Sequence, residues 1–335
     1  MKTIGLLVCL LLLGLLTCPA SKAQLGCSIN GLSTTTGLVW DADTSSFWAA
    51  VSGGNYMLHF TTGCTTINTV SVGRYPFGVT LDGQHCVIAP CPPRYIWVTN
   101  YEDNTVTKID HITYAVVGTY PVGSHPRGII SVENYIFVAN QGSNTVSKLD
   151  EATGALLQTI QVGSQPYSLA WATTAANVAY FFVGNVGSNT VMQIDLNGNI
   201  LQTIATPSDP NSIGIGQRSS DSAVILWVSC YNGSTIDAYV MTTPITHWGT
   251  LNVSSWGHPE GIVGIGGLSV ARVVTHSGYF LDIKQQGSTN NLFVNNAVAL
   301  ETGTNPHLFN IIGPAPNYWI DDVDRARIFE YTYPN

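Results

Sequence analysis

The sequence predicts an all-β fold made of one antiparallel unit that is repeated along its 335 residues. The first observation is a segment that occurs three times with small changes. It reads YIWVTNYEDNTVTKID at 95–110, YIFVANQGSNTVSKLD at 135–150 and YFFVGNVGSNTVMQID at 180–195. The second observation is the composition, because charged residues make up only 10% of the chain while Gly, Ser, Thr and Asn are abundant. Such a composition is typical of β-rich proteins with many turns.

Each copy contains the same succession of strands and turns. An apolar run such as YIFVAN has the composition of a buried strand, and a polar turn such as QGSN follows it. The next run, TVSKLD, alternates apolar and polar residues as a half-buried strand does. Another turn (EATG) and another strand (LLQTIQVG) then lead to a corner that contains a proline. The pattern predicts a four-stranded antiparallel meander in each unit.

The corner proline extends the repeat beyond the three clear copies. It recurs about every 40–50 residues, and the strand that follows each corner brings the number of units to about seven. This period, with four strands per unit, indicates a seven-bladed β-propeller whose neighbouring sheets bury one another's faces. The last unit has no room for a fourth strand, so LGCSIN at 25–30 is expected to complete it and close the ring. The six prolines are Pro76, Pro126, Pro166, Pro210, Pro259 and Pro306.

The three clear copies resemble the YVTN family of β-propeller repeats. The resemblance is carried by WVTNYEDNTVTKID, FVANQGSNTVSKLD and FVGNVGSNTVMQID, each followed by a proline corner such as VGSHP, and it covers about residues 95–215. It implies a seven-bladed propeller but no single activity, because proteins of this class include binding scaffolds, surface proteins and some enzymes. In the last three units, Cys230, His276 and Asp322 are aligned with the asparagine that ends the second strand.

Residues 1–23 have the features of a secretory signal peptide. An apolar run from Ile4 to Leu16 is followed by small residues at the two positions that a signal peptidase reads before Gln24. Lipidation of Cys18 is the alternative that remains open. The run is too short for an ordinary transmembrane helix, and no later segment is long and apolar enough to span a bilayer. We therefore expect a secreted or periplasmic protein with a single domain at 24–335.

Charge and cysteine usage narrow the classes of partner. The formal net charge of −8 argues against binding to the phosphate backbone of nucleic acids, and we expect a monomer. Five of the seven cysteines follow the signal peptide, so at least one is unpaired or pairs between chains. Cys86 and Cys91 enclose a short loop and are expected to form a disulfide, and a bond between Cys27 and Cys64 is the other pairing considered. Cys230 lies in an apolar strand and is expected to be a buried thiol.

The strand directions bring the corners and the ends of the second strands to one face of the ring, around the mouth of its central channel. We expect a small molecule, a glycan or a protein to bind at this face. An arginine there could bind a carboxylate, and an aromatic ring could form a platform for a sugar. The candidate ligand-binding residues are Arg74, His125, Arg127, Tyr167, Trp256 and His307.

Histidines and carboxylates concentrate in the last two units of the repeat. His258 or His276 could accept a proton while Glu260 orients it, as in acid–base catalysis. Imidazole and carboxylate groups also suit zinc and other divalent ions, so a divalent metal is the cofactor to consider. The alternative is that these residues are polar loop tips that hydrogen-bond to backbone carbonyls. The candidate metal ligands are His258, His276, His307 and Asp322.

Three functions from different classes follow from these features. The first is a secreted propeller that binds a ligand or partner through the mouth face. The second is a lyase or hydrolase that uses the His/Glu/Asp cluster, with or without a divalent metal. The third is a structural protein of the cell surface or envelope. The sequence contains no GxSxG, HExxH or phosphate-loop motif that would decide for an enzyme.

Overall fold

A computed structural model of the chain describes residues 24–82, 94–174, 177–217, 223–265, 270–285, 292–300, 308–312, 317–322 and 327–332. These residues form 28 β-strands and two short 3-10 helices. None of the helices in these ranges has the length and apolar character needed to cross a membrane. The prediction of an all-β chain is confirmed.

The strands form four-stranded antiparallel sheets, and the first four sheets each use consecutive strands. The first sheet contains β2 (Thr35–Asp41), β3 (Ser46–Val51), β4 (Tyr56–Thr61) and β5 (Thr66–Ser71). The second contains β6 (Pro76–Leu81), β7 (Tyr95–Asn100), β8 (Thr105–Asp110) and β9 (Val116–Pro121). The third contains β10 (Pro126–Val132), β11 (Tyr135–Asn140), β12 (Thr145–Asp150) and β13 (Leu156–Gln161). The fourth contains β14 (Pro166–Thr173), β15 (Ala179–Asn185), β16 (Thr190–Asp195) and β17 (Ile200–Ala205).

The remaining strands continue this order, and the last sheet combines both ends of the described chain. The fifth sheet contains β18 (Pro210–Gln217), β19 (Val224–Cys230), β20 (Thr235–Val240) and β21 (Thr246–Asn252). The sixth contains β22 (Pro259–Ile265), β23 (Val270–Thr275), β24 (Tyr279–Gln285) and β25 (Leu292–Ala299). The seventh contains β26 (Leu308–Ile312), β27 (Asn317–Asp322), β28 (Arg327–Thr332) and β1 (Gln24–Ile29).

The first strands of the sheets are arranged in a ring. Each contacts the first strand of the next sheet, and β26 of the seventh sheet contacts β2 of the first. The outer strand of the seventh sheet is β1, which pairs antiparallel with β28 in the register Gln24 to Thr332 and Ile29 to Ile328. The expected role of the N-terminal segment as the missing strand therefore agrees with the observed pairing. This cyclic arrangement is that of a β-propeller.

A disulfide between Cys27 and Cys64 connects β1 to the turn after β4, with Cα atoms 6.0 Å apart. It joins the seventh sheet to the first, at the place where the chain closes its ring. This is the pairing that the sequence favoured less. The expected bond between Cys86 and Cys91 lies outside the described residues. Cys230 is a buried free thiol, as expected.

The core lies between the sheets, because the second strands of the first five sheets are buried along nearly their whole length. Phe137 of the third sheet and Phe181 of the fourth are fully buried, and their ring centroids lie 4.4 Å apart. Trp97 and Trp227 occupy similar fully buried places in the second and fifth sheets. Removing each such side chain from water stabilises the fold by about 1.5–3 kcal/mol. One sheet alone could not bury these faces, which explains why the unit is repeated.

Two lysines connect neighbouring sheets at the face opposite the mouth. Lys108 Nζ donates hydrogen bonds to the carbonyls of Glu151 and Ala152 in the next sheet, at 2.7 and 3.0 Å. Lys148 Nζ, at the same place in the third sheet, donates to the carbonyl of Leu196 at 2.8 Å. Burial lowers the pKa of both lysines, and nearby carboxylates oppose that shift. The carbonyls therefore replace the water that each ammonium group loses.

The corners between sheets are held by asparagine side chains. In four sheets, the side chain of a turn asparagine whose backbone is left-handed accepts a hydrogen bond of 2.8–2.9 Å. The donor is the backbone amide of the residue that precedes the next corner proline. Asparagine tolerates this conformation better than most residues, which accounts for its recurrence in DNTV and SNTV. The donor and acceptor pairs are Tyr75 with Asn55, His125 with Asn104, Gln165 with Asn144, and Asp209 with Asn189.

The asparagine that ends the second strand has a structural role and does not face the mouth. Asn140 is fully buried, and its Nδ2 donates to Thr145 Oγ1 at 3.1 Å and to Ser147 Oγ at 2.9 Å. A Cβ atom on Gly123 of the corner would lie 2.6 Å from Asn140 Cγ. Asn100 and Asn185 are buried beside Gly73 and Gly163 in the same way. The expectation that these asparagines line the mouth is therefore wrong, because the third strand and the corner cover them.

The close approach of Asn140 to Gly123 generates a stability prediction. Gly123→Ala should lower the free energy of unfolding by about 1–3 kcal/mol, since the added methyl group would overlap Asn140 and Ser143. Gly63→Ala is the matched control, because the nearest atom to its Cβ would be Thr61 Oγ1 at 3.7 Å. Urea unfolding followed by tryptophan fluorescence measures both. Equal stability of the two variants would show that the packing of Gly123 against Asn140 does not constrain the corner.

Candidate functional site

A cavity of about 380 Å³ opens at the mouth, where the corners enter the first strands. Six of its lining residues share one structural position, which directly follows the corner proline or its equivalent. At this position each first strand makes a β-bulge against the second strand. A bulge re-aims a side chain, and here it turns one residue of each sheet toward the mouth. These residues are Thr36, Phe77, Arg127, Tyr167, Asn211 and Glu260.

The next residue along the strand is glycine in four of these sheets, because the first strands approach closely at the axis. A Cβ atom on Gly78 would overlap the carbonyl of Arg127, and one on Gly128 would overlap the carbonyl of Tyr167. A second cavity of about 180 Å³ lies among these first strands. The glycines therefore permit a narrow channel, and the residue before each glycine determines the chemistry at its mouth.

Arg127 is the centre of an aromatic cluster on one side of the cavity. Its guanidinium carbon lies 4.4 Å from the ring centroid of Phe77, 4.8 Å from that of Tyr101 and 4.6 Å from that of Tyr167. Such contacts favour a cation over a ring face. Arg127 Nε donates to Gln141 Oε1 at 2.5 Å, and Nη1 donates to the Tyr167 hydroxyl at 3.3 Å. These contacts fix the direction of the guanidinium group.

The Tyr167 phenol lies between charges of opposite sign. Burial raises its pKa well above the ordinary value for tyrosine, and the charge of Arg127 opposes this shift. The charges of Glu260 and Asp209 raise it further. The phenol therefore stays protonated at neutral pH and keeps a hydroxyl that can donate a hydrogen bond into the cavity.

Glu260 and His276 form a contact on another side of the cavity. The Glu260 carboxylate is 4% exposed, and its Oε1 lies 3.2 Å from His276 Nδ1. The His276 ring also packs edge-on against Tyr231, with ring centroids 6.1 Å apart. A buried carboxylate can orient an imidazole ring and stabilise its protonated form. The geometry thus brings together two of the three residues predicted to be catalytic.

His258, the third predicted catalytic residue, lies beside this pair. Its ring stacks on Tyr231 with centroids 4.7 Å apart, and its Nδ1 lies 2.8 Å from the Tyr231 carbonyl and 3.1 Å from Ser234 Oγ. Nδ1 therefore donates to the carbonyl oxygen, which leaves Nε2 as the ring's acceptor. The backbone carbonyl of His258 accepts a hydrogen bond from the amide of His276 at 2.8 Å.

The predicted alignment of His276 with the strand-ending asparagine is wrong by one residue, because Thr275 and not His276 occupies that position. Pro210 of the fifth sheet pairs with Cys230, but Pro259 of the sixth sheet pairs with Thr275. His276 is therefore equivalent to Tyr231 and not to Cys230. This shift explains why the His276 side chain is partly exposed beside Glu260 while Cys230 is buried.

The other predicted ligand-binding residues are not brought together. Arg74 is exposed and bonds Asp103, with Nε 2.7 Å from Oδ1. The ring of His125 stacks on Tyr101, with centroids 4.6 Å apart, and does not line the mouth cavity. Trp256 is partly buried against the core between the fifth and sixth sheets.

Two predicted residues cannot be placed in the site. His307 lies outside the described residues. Asp322 ends β27, where its backbone pairs with Leu308 and Arg327, and its side chain is outside the description. The metal site predicted from His258, His276, His307 and Asp322 therefore stays a prediction.

Five aromatic or polar residues at the mouth were not predicted from the sequence. Thr34, Thr36, Phe77 and Tyr231 line the cavity, and Tyr101 packs against the Arg127 guanidinium. Thr36 and Phe77 follow the corner proline or its equivalent, and Tyr101 and Tyr231 follow the second strand of their sheets. The residues on each side of Pro76 are Tyr75 and Phe77, and both line the cavity, whereas Arg74, one residue earlier, does not. The β-bulge, which a single sequence does not reveal, decides that Phe77 faces the cavity.

A metal-competent group occurs elsewhere, between the first and second sheets. One ligand atom from each of Asp41, Asp43 and His111 lies within 4.8 Å of the others. His111 Nδ1 is 2.9 Å from Asp41 Oδ2, and Arg94 Nη1 is 2.9 Å from Asp43 Oδ2. Burial alone would raise the pKa of Asp41, but hydrogen bonds from His111 and Thr44 and the charge of His111 lower it below the ordinary value. Two carboxylates and an imidazole could hold a divalent ion.

No family model matches the chain, and a search of curated proteins finds no match. The resemblance to YVTN repeats thus stays a prediction from the quoted segments. Solved structures do match, and they include a streptogramin B lyase with a TM-score of 0.71 and 17% identity. That match covers 92% of this chain and 97% of the lyase.

Two further structures show the same architecture. A catalytically inactive variant of virginiamycin B lyase from Staphylococcus aureus, solved with quinupristin, has a TM-score of 0.70 and 16% identity over 92% of this chain and 98% of its own. Hydrazine synthase from Kuenenia stuttgartiensis has a TM-score of 0.70 and 12% identity over 95% and 99% of the two chains. At these identities the comparisons establish the β-propeller fold of the chain.

Elemental analysis can show which of the two candidate groups of residues binds a metal ion. The described geometry favours Asp41, Asp43 and His111, because one ligand atom from each of these three residues lies within 4.8 Å of the others. After incubation with zinc and desalting, plasma mass spectrometry should find metal that is lost in Asp43→Asn/His111→Gln. The same metal should remain in His258→Ala/His276→Ala. Loss of metal in the second variant alone, or no retained zinc in the wild type, would contradict this expectation.

Proposed function

We propose that the chain is a secreted, single-domain, seven-bladed β-propeller that binds a ligand in the cavity at its mouth. The proposal is supported first by the ring of sheets and by the disulfide that joins the two ends of that ring. The cysteine pairing suits an oxidising compartment. The signal peptide expected at residues 1–23 suits the same location.

The observation that carries the proposal is the composition of the mouth cavity. Aromatic rings from the second and fourth sheets surround the Arg127 guanidinium, and a buried carboxylate, Glu260, comes from the sixth. Ligand sites are concave, mostly apolar and supplied with a few convergent polar groups, and a volume of about 380 Å³ is adequate for a small molecule. The repeated contacts of the scaffold do not require a charged side chain at this position. The charged residues Arg127 and Glu260 found there therefore support a binding role.

A matched pair of arginine variants tests the binding role. A fluorinated fragment library should contain members whose ¹⁹F signals broaden with the wild type, and this broadening should be lost with Arg127→Gln. Arg74→Gln is the control, because Arg74 belongs to the neighbouring corner but is exposed outside the cavity. A library in which no fragment binds, or one whose binding falls equally in both variants, would refute the mouth as a binding site.

A second candidate function is a lyase or hydrolase, which the Glu260–His276 contact specifically favours. In this account His276 transfers a proton and Glu260 orients its ring, and His258 packs against the same tyrosine, Tyr231, as His276 does. The streptogramin B and virginiamycin B lyases are propellers with a related architecture, and their names supply the reaction class by analogy only. Acidic polysaccharides, lactones and cyclic peptides are the substrate classes to assay.

The catalytic alternative predicts a selective loss of turnover. His276→Ala should abolish conversion of whichever substrate class the wild type consumes, as followed by mass spectrometry, while the melting temperature stays within a few degrees. His125→Ala is the matched control, because this histidine also packs against a tyrosine, Tyr101, but lies in the second corner, away from the Glu260–His276 contact. If no substrate class is converted, or if His276→Ala converts its substrate as fast as the wild type, the catalytic function is excluded and ligand binding remains the proposed function.

A further inference from the structure

We infer that the mouth cavity takes a zwitterionic ligand of the amino acid or short peptide class, with its carboxylate toward Arg127 and its ammonium group toward Glu260 and Asp209. This inference rests on the proposed ligand-binding function and specifies its ligand. It follows from where the charged residues lie around the ring, from the contacts that each already makes, and from the rings that line the space between them.

The two signs of charge come from opposite sides of the ring. Arg127 begins the third sheet and Glu260 begins the sixth, and the first strands follow one another in chain order around the axis. Three steps separate these sheets in one direction and four in the other. The guanidinium group and the Glu260 carboxylate therefore enter the cavity from facing walls.

The wall near Arg127 suits an anion. The ring contacts with Phe77, Tyr101 and Tyr167 and the bonds from Nε and Nη1 leave the outer edge of the guanidinium group available. A carboxylate fits such an edge with two parallel hydrogen bonds. Among the lining residues that the structure describes, Arg127 is the one lysine or arginine. The protonated Tyr167 hydroxyl lies beside it as a further polar contact.

The facing wall suits a cation. Asp209, Tyr231 and Glu260 all line the cavity. Burial raises the pKa of the Tyr231 phenol, and the charges of Glu260 and Asp209 raise it further. An ammonium group at this wall would meet two carboxylates and an aromatic face, which is a favourable environment for an organic cation.

The combination excludes simpler ligands. An anion alone would gain from Arg127 but would be repelled by Asp209 and Glu260 across a small cavity. A cation alone would gain from the carboxylates but would face the guanidinium group. A ligand with both charges at its two ends satisfies both walls at once, and the rings of Phe77 and Tyr167 offer a surface for an apolar body between them.

Four probes with one aromatic body separate the contributions of the two walls. They are 4-(aminomethyl)benzoate with both charges, benzylamine with the cation, benzoate with the anion, and benzyl alcohol with neither. Titration followed by NMR chemical shifts should give 4-(aminomethyl)benzoate an affinity at least tenfold higher than that of any other probe.

The variants assign each charge to its wall. Arg127→Gln should weaken 4-(aminomethyl)benzoate to the level of benzylamine and leave benzylamine unchanged or tighter. Glu260→Gln should weaken it to the level of benzoate, and Asp209→Asn provides the same test if Glu260→Gln does not fold. Arg74→Gln should change none of the four affinities, because Arg74 is exposed outside the cavity.

The outcomes distinguish the ligand class from the binding function. If all four probes bind with equal affinity, or if a singly charged probe binds most tightly, the zwitterion assignment is wrong and the cavity remains a binding site. If no probe binds and the fluorinated fragments also fail, both the assignment and the proposed function are overturned.

Discussion

The mouth of this propeller depends on one repeated hydrogen bond, from a corner amide to the side chain of a turn asparagine. Asn104 and Asn144 adopt left-handed backbone conformations and accept the amides of His125 and Gln165 at 2.8 Å. Each bond joins the turn of one sheet to the corner that begins the next. It therefore sets where the following proline and β-bulge lie, and hence which side chain enters the cavity. In the fifth sheet Ser234 has the place of the asparagine, and its hydroxyl contacts the ring of His258 instead.

The residues that hold the scaffold are therefore different from the residues that determine the chemistry of the cavity. The turn asparagines, the buried strand-ending asparagines and the corner glycines repeat because each fits one contact that recurs around the ring. The side chain after each corner proline is not needed for those recurring contacts, so it can differ from sheet to sheet. Phe77, Arg127 and Glu260 occupy that one position in different sheets. A cavity with opposite charges on facing walls is thus produced by changing single residues on a constant frame.

The repeat made the sheets and the closing strand predictable, because strand composition and turn residues are local properties. The sequence also located the corners, and Arg127, Tyr167 and Glu260 were recognised as mouth residues. It could not assign Phe77 to the cavity or Asn100 to the core, since a β-bulge and a covering strand decide these placements. The cluster of Asp41, Asp43 and His111 joins residues that are far apart in the chain, so no spacing motif could have indicated it.

Amide hydrogen exchange of the corner residues tests the account most directly. If asparagine side chains hold the corners, the amides of Tyr75, His125, Gln165 and Asp209 should exchange as slowly as amides of the strand ladders. In Asn144→Ala the Gln165 amide should become fast, while the other three stay slow. Corner amides that exchange in the wild type as fast as those of an unstructured peptide would contradict the account, because nothing would then fix the residues that line the mouth.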